Sequence, residues 1–369
     1  MNVLYEREEG CQAWLAYARC RPQAILDLLA EMGSAEAVYD LTLRDRGSKL
    51  REHLTPKQTE RLLEAAKPDA MHRMMVAMRD HRIRILSQDD FLYSDCLRSI
   101  PDAPVFLFYQ GDASCMEGKS LTVVGARMAS PKAIAHCEQI CRNLSESGIT
   151  IVSGLAPGID TAAHRGSMMG PTPGIGVMAC GLDIDYPVVS HQLKRDLLNQ
   201  GGLILSEVPP GVRVYPGAFP QRNRIVSGLG RGVVLMEAKI KSGSMNTVQH
   251  ALDQGRDVFA WPGEPGSDWS EGTHQLIREG ARYFVTAADL LEDMGWDGQT
   301  PLSADQKTAL PALSPEMHKI LTILHQGEKG MDELAAESGL DASILAGTLT
   351  MLQMYGCIRA LPGKTYCLQ

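Results

Sequence analysis

Between residues 85 and 294 the chain repeats one pattern: a short apolar run, a turn rich in small residues, then a stretch with apolar residues at helical spacing. LTVVGA precedes PKAIAHCEQICRNLSESG, and ITIVSG precedes TAAHRGSMMG. GIGVMACG leads to HQLKRDLLNQGG, LILSE to RNRIVSGLG, and GVVLMEA to MNTVQHALDQG. DVFAWPG is followed by THQLIREGA and YFV. Strands and helices alternating over such a length join through crossover helices, which makes the sheet parallel and covers both its faces. The expected fold class is therefore α/β. In such a sheet, ligands bind outside the carboxyl ends of the strands, so the loops that follow the apolar runs are where chemistry is sought.

The flanks read differently. Residues 1–84 are helical by spacing: AILDLLAEMG ends at Gly33, and TPKQTERLLEAAK starts with Thr55 as candidate N-cap and Pro56 at the first helical position. Residues 295–313, GWDGQTPLSADQKTALPAL, read as a linker. In 314–369, Ser314-Pro315 opens a helix, Gly339 closes a second and Asp341 caps a third. CIRA, the turn LPGK and TYCL follow, so three helices and a two-stranded wing describe a winged-helix module.

A chain of 369 residues suits two or three domains. No run approaches about 18 uncharged apolar residues, so no membrane span is expected. The start, MNVLYEREEGCQAW, lacks the basic and apolar regions of a secretory signal. Nine cysteines are scattered without a CxxC pair, and Cys137 and Cys141, one helical turn apart, have no accompanying His or second pair. Reduced thiols in a cytoplasmic protein are expected, and no metal site. The net charge of −8 argues against a nucleic-acid partner on its face, but its distribution is uneven. Residues 44–84 hold eleven Lys/Arg against six Asp/Glu, and 211–256 hold seven against two. The acid sits in 286–341, with eleven Asp/Glu against three Lys.

Five loops follow the apolar runs. Gly125-Ala126-Arg127 lies between LTVV and a helix start: glycine admits close approach, the helix offers free N–H groups and Arg127 adds a forked phosphate contact. It is not GxGxxG, so the dinucleotide fingerprint is missing; the plain alternative is an arginine on a structural carboxylate. Ser153-Gly154 begins a second loop of small residues, with Asp160 and His164 beyond. That pair is either an acid–base couple or a cap with a packing partner. In FPQRNRIVSG, Phe219, Arg222, Asn223 and Arg224 combine cations with an aromatic face, as a sequence-tolerant single-strand binder needs. The alternative is an Arg–Glu network, with Glu207 at a strand end as the partner. Lys239, Lys241, Ser242 and Gly243 set lysines and small residues at another helix start. Trp261-Pro262-Gly263 closes DVFA. Gly118-Lys119-Ser120 resembles the end of a P-loop but precedes a strand and reads as a surface turn. HExxH and GxSxG are absent from the sequence.

The ordered series VVGARMAS, SGLAPGIDTAAHRGSM, GLDIDYP, LSEVPPG, FPQRNRIVSGLG, EAKIKSGSMNTVQHALDQGRDVFAWPG and GTHQLIREGA resembles the DprA (Smf) family of DNA-processing proteins. The resemblance is dense over 85–294 and looser on the flanks. It implies a Rossmann-like core over 85–294, a SAM-like helical module over 1–84 and a winged helix over 314–369. It also implies binding of single-stranded DNA, protection of incoming strands during natural transformation, loading of the RecA recombinase and a homodimer through the Rossmann-like domain. No catalytic activity and no cofactor are implied. Carried over by motif, Gly125, Ala126 and Arg127 grip a phosphate, Phe219 stacks a base, and Arg222 and Arg224 belong to the arginine motif, one of them in a structural role.

Three positions depart from the family pattern. Ala126 lacks the hydroxyl many members carry, Pro157 replaces a frequent basic residue, and Pro216 stands where a lysine is usual; Lys239, Lys241 or Arg213 are the substitutes at hand. The third helix of the winged module, ASILAGTLTMLQMY, carries no charge, so this module is not expected to grip duplex DNA. The competing class is enzymatic. Nucleotide phosphoribohydrolases of related architecture have a PGGxGTxxE loop that Ser242–Thr247 resembles, but His250 stands where their glutamate is needed. A nucleotide sensor on the same fold is the third reading.

Overall fold

The computed structural model describes residues 7–297, 314–325, 327–355, 357–361 and 365–368. Residues 298–313 of the expected linker and 362–364 of the LPGK turn lie outside the described residues. The chain forms two compact units, Met1–Gln88 with Ser94–Pro301 and Asp89–Tyr93 with Leu302–Gln369.

Nine strands build one sheet in the first unit: β1 (Arg84–Ser87), β2 (Phe106–Gly111), β3 (Ser120–Val124), β4 (Thr150–Ser153), β5 (Ile175–Val177), β6 (Leu203–Ser206), β7 (Gly232–Leu235), β8 (Asp257–Ala260) and β9 (Arg282–Tyr283). Their spatial order is β1-β2-β6-β5-β4-β3-β7-β8-β9. From β3 onward every neighbour pair within this set is parallel, as the alternation requires. The order reverses at β3, which pairs with β4 on one side and β7 on the other. This is a Rossmann-like switch point, where loops leave in opposite directions and open a crevice between them.

The β1–β2 edge is antiparallel, and β2 runs antiparallel to β6. Hydrophobic alternation does not foresee it, because the helix between β1 and β2, Asp95–Arg98, is too short for a crossover. A hairpin-like return is the remaining option.

The N-terminal helices, from Arg7–Leu15 to Pro68–Asp80, carry their apolar faces into the same core as this edge. Trp14, Leu28, Leu62 and Met78 are continuous with Ile85, Phe106, Phe108 and Ile204. Trp14 is fully buried, donates Nε1–H to the Leu62 carbonyl at 2.9 Å and meets Tyr39 edge-on at 5.0 Å. Gly33 ends its helix with φ 88° and its N–H on the Leu29 carbonyl, the stop expected from the sequence. A second core, with Leu121, Ile140, Leu144, Ile151, Val234 and Phe259, fixes the central strands under the helix Pro131–Glu146.

In the second unit, helices Pro315–His325, Met331–Ser338 and Ala342–Met354 pack around Leu321, Leu334, Leu349 and Leu352. The wing has three strands: β10 (Lys329–Gly330), β11 (Ile358–Leu361) and β12 (Thr365–Leu368), in the order β10-β12-β11. The third strand has only two residues, too few for a period-2 signal. Asp90 belongs to this unit because its carboxylate meets His318 Nε2 at 2.6 Å.

Truncating Trp14 to alanine empties the centre of the shared core and orphans the Leu62 carbonyl. The expected cost is about 3–5 kcal/mol. Urea unfolding of the variant reads it as a lowered midpoint; an unchanged midpoint contradicts a core shared by the helices and the sheet edge.

Candidate functional site

The switch-point crevice is a cavity of about 590 Å³. Its walls are the loops after β3, β4 and β7 and the helix Ala218–Leu229. The β3 and β7 loops are tied together. The Ala126 N–H donates to the Glu237 carbonyl at 2.7 Å. The Glu237 carboxylate, 3% exposed, accepts the Ser130 N–H at 2.8 Å and the Ser130 hydroxyl at 2.7 Å. Ser130 in turn caps the helix Pro131–Glu146 through Ala133 N–H at 3.1 Å. The β4 loop joins through Ile159 N–H on the Ala126 carbonyl at 3.2 Å.

Two glycines permit this closeness. Gly158 has φ 82°, and a Cβ there would strike the Ala126 and Arg127 carbonyls. A Cβ on Gly154 would strike the Asp160 carboxylate and the Arg222 guanidinium.

Of the residues singled out from the sequence, Gly125, Ala126, Arg127, Gly154, Phe219, Arg222, Asn223, Lys239, Lys241, Ser242 and Gly243 all line this cavity. Arg127, Lys239 and Lys241 are exposed. The Phe219 ring lies between two guanidinium groups, 5.2 Å from Arg127 and 5.8 Å from Arg222. Asn223 reaches Asn246 Oδ1 at 3.3 Å and so joins two helices across the floor. The helix Gly243–Asp253 has no side-chain cap, so its first-turn N–H groups face the cavity at Ser242, Gly243 and Ser244. Asp160 is the one carboxylate among the lining residues, against four cations. The arrangement is built for an extended anion with apolar parts.

Two of those residues lie elsewhere. The Ser153 hydroxyl is buried and donates to the Val123 carbonyl at 2.6 Å, tying β4 to β3. Arg224 points to the other face of its helix, where Nη2 meets Glu207 at 2.6 Å and Nε meets Asp102 at 3.1 Å. Of the substitutes for the lysine missing at Pro216, Lys239 and Lys241 reach the cavity and Arg213 does not line it. Sequence reasoning missed Trp269, whose ring lies 4.7 Å from Lys239 Nζ, and Tyr186, 6.1 Å from Phe219. Both sit in polar segments without periodicity; a large aromatic there was the available signal.

Asp160 and His164 do not form an acid–base couple. His164 is fully buried with Nε2 on the Gly154 carbonyl at 2.9 Å, and Asp160 accepts from the Ala156 N–H at 3.4 Å. Burial pushes the His164 pKa down to about 4 and the Asp160 pKa up to about 6, the latter opposed by Arg222. Neutral His164 therefore loses stability as the pH falls from 6.5 to 4, because the unfolded chain alone takes up the proton. Asp160 gains stability as the pH falls from 6 to 4, because the native state is protonated first. Each effect is roughly 3 kcal/mol and they oppose. Asp160→Asn removes only the gain. Its urea midpoint should drop between pH 6.5 and 4 more steeply than that of the wild type; parallel pH profiles would refute this assignment.

Comparison with known proteins places this geometry. The sequence model of a family described as DNA recombination-mediator protein A matches residues 84–295, and one described as DprA winged helix domain matches 304–364. The chain is 41% identical over 206 residues to the DNA processing protein DprA of Streptococcus pneumoniae, covering 55% of this chain and 72% of that protein. It is 34% identical over 319 residues to Protein Smf of Escherichia coli, covering 84% of each. The crystal structure of the S. pneumoniae protein aligns at 31% identity with a TM-score of 0.59, covering 79% of this chain and 99% of that one. DNA processing protein A of Helicobacter pylori, solved for the single-stranded DNA binding mode of that protein, aligns at 28% identity with a TM-score of 0.53. It covers 58% of this chain and 97% of its own.

Proposed function

Since the chain belongs to the DNA recombination-mediator protein A (DprA, Smf) family, we propose that it binds single-stranded DNA in the switch-point cavity. One observation carries the reading: Phe219 held between two guanidinium groups in a cavity whose four cations face a single buried carboxylate. Phosphates take Arg127, Lys239, Lys241 and the N–H groups of Ser242 and Gly243. A base takes the Phe219 face. With no hydrogen-bond set dedicated to one base edge, the binding is tolerant of sequence. Ala126 contributes only its backbone, which the tie to Glu237 already positions.

The role that follows is that of a mediator. The protein shields incoming single strands during natural transformation and passes them to the RecA recombinase. It acts in the cytoplasm, a setting supported by nine free thiols. Among the described residues no helix is long and apolar enough to cross a membrane. A homodimer through the Rossmann-like domain is supported by the β9 edge, where Tyr283 is 64% exposed and Val285 47%. The role involves no catalysis by the chain itself: Asp160 and His164 are engaged in packing, and no glutamate lines the cavity. The winged helix does not grip duplex DNA, since its uncharged third helix exposes Ile344, Met351 and Met354.

Fluorescence anisotropy with labelled oligo-dT, competed by duplex of equal length, tests this. Single strands should win, and log affinity should fall with log salt by about 0.7 per phosphate contacted. Arg127→Ala should flatten that slope, and Phe219→Ala should weaken binding about 10- to 100-fold. Absence of binding at low salt would sink the proposal and bring the nucleotide-processing and nucleotide-sensing readings forward.

A further inference from the structure

A second cavity, of about 450 Å³, opens between the N-terminal helices and the sheet. The helix Ala218–Leu229 is the wall between the two cavities. At about 100° per residue, Phe219, Arg222, Asn223 and Val226 share one face, and Gln221 and Arg224 lie opposite. The first four line the first cavity and the last two line the second. Gly217, Pro220 and Gln221, in and before the first turn of this helix, are exposed. A chain leaving the first cavity over that turn reaches the second within one helix diameter, roughly 10–12 Å.

The second cavity has the same kinds of groups as the first. Arg19 lies 4.8 Å over the Tyr215 ring, and Arg21 stands exposed at the lip. Neither has an ion-pair partner among the described residues. The Arg61 guanidinium lies near enough to Arg19 to repel it, which together with burial lowers the Arg19 pKa. An anion between them would relieve that repulsion. The two carboxylates of the cavity, Glu207 and Asp102, are both engaged by Arg224, whose buried Nη1 still lacks a hydrogen-bond partner. Gln58 and Gln221 add carboxamides, which suit a base edge. Arg19 holds φ 46°, a left-handed conformation that a side chain of its size rarely adopts, and that turn sets its guanidinium over Tyr215.

We infer that this cavity takes a further nucleotide of the same single strand. Its phosphate sits on Arg19 and Arg21 and its base against Tyr215 and the carboxamides. The N-terminal helical module is thereby part of the DNA track, and not only a support for the sheet edge. The inference rests on the proposal that the first cavity binds single-stranded DNA.

Oligo-dT of about 4 and about 16 nucleotides separates the two claims, since the shorter strand fills the first cavity alone. The double variant Arg19→Gly/Arg21→Ala keeps the turn, because glycine accepts the left-handed conformation. Its affinity for the short strand should stay within about twofold of wild type. Its affinity for the long strand should fall about tenfold, with a salt slope shallower by about 1.4 for two lost phosphate contacts. Tyr215→Leu should lower long-strand affinity alone. Unchanged affinity at both lengths, or an equal loss at both, overturns the inference. Arg127→Ala is measured alongside: weaker binding of the short strand by that variant keeps the first cavity as the DNA site whatever the double variant does, and undiminished binding removes it.

Discussion

The site depends on a buried carboxylate that has no cation beside it. Glu237 holds Ser130 by both its N–H and its hydroxyl, while the backbone carbonyl of the same residue holds Ala126. Hydrogen bonds to the charged form replace the water this carboxylate gave up. The result fixes the β3 loop to the β7 loop at the point where the sheet order reverses. Arg127 on one side and Lys239 and Lys241 on the other thereby face each other across a crevice of constant width. Without that tie, two mobile cationic loops would spread apart by their own repulsion.

The helix Ala218–Leu229 does the opposite job: it separates. One short sequence, FPQRNR, serves two faces because residues two apart on a helix point apart. Arg222 goes to the cavity, partly balanced by Asp160, and donates to the Val177 carbonyl. Arg224 goes to Glu207 and Asp102 and so anchors the helix to the loop after β6 and to the segment before β2. The antiparallel edge, β1–β2, then gives the N-terminal helices a surface to share. The same edge brings Arg19 and Tyr215 together across 196 positions of sequence.

The parallel core was legible because each apolar run and each helical stretch carries its own period, and the loops that follow the runs became the cavity walls. Eleven of the thirteen residues chosen on that basis line one cavity, because strand ends converge at the switch point. Arg224 and Ser153 were placed elsewhere by tertiary partners, Glu207 and the Val123 carbonyl, that no local pattern announces. β10 and β9 are two residues each, below the length at which a period exists. Trp269 was invisible for a related reason: it reaches Lys239 from a segment with no strand or helix signal on its own. The competing reading of Arg127, a pairing with a structural carboxylate, has no counterpart among the described ion pairs, where the structural arginine is Arg224.

The most direct test of the central claim is amide hydrogen exchange of the intact protein, free and saturated with oligo-dT. The account predicts slowed exchange concentrated in 125–130, 154–158 and 242–246, the three loops whose N–H groups border the cavity. Slowing confined to 314–369, with those three loops unchanged, would contradict it.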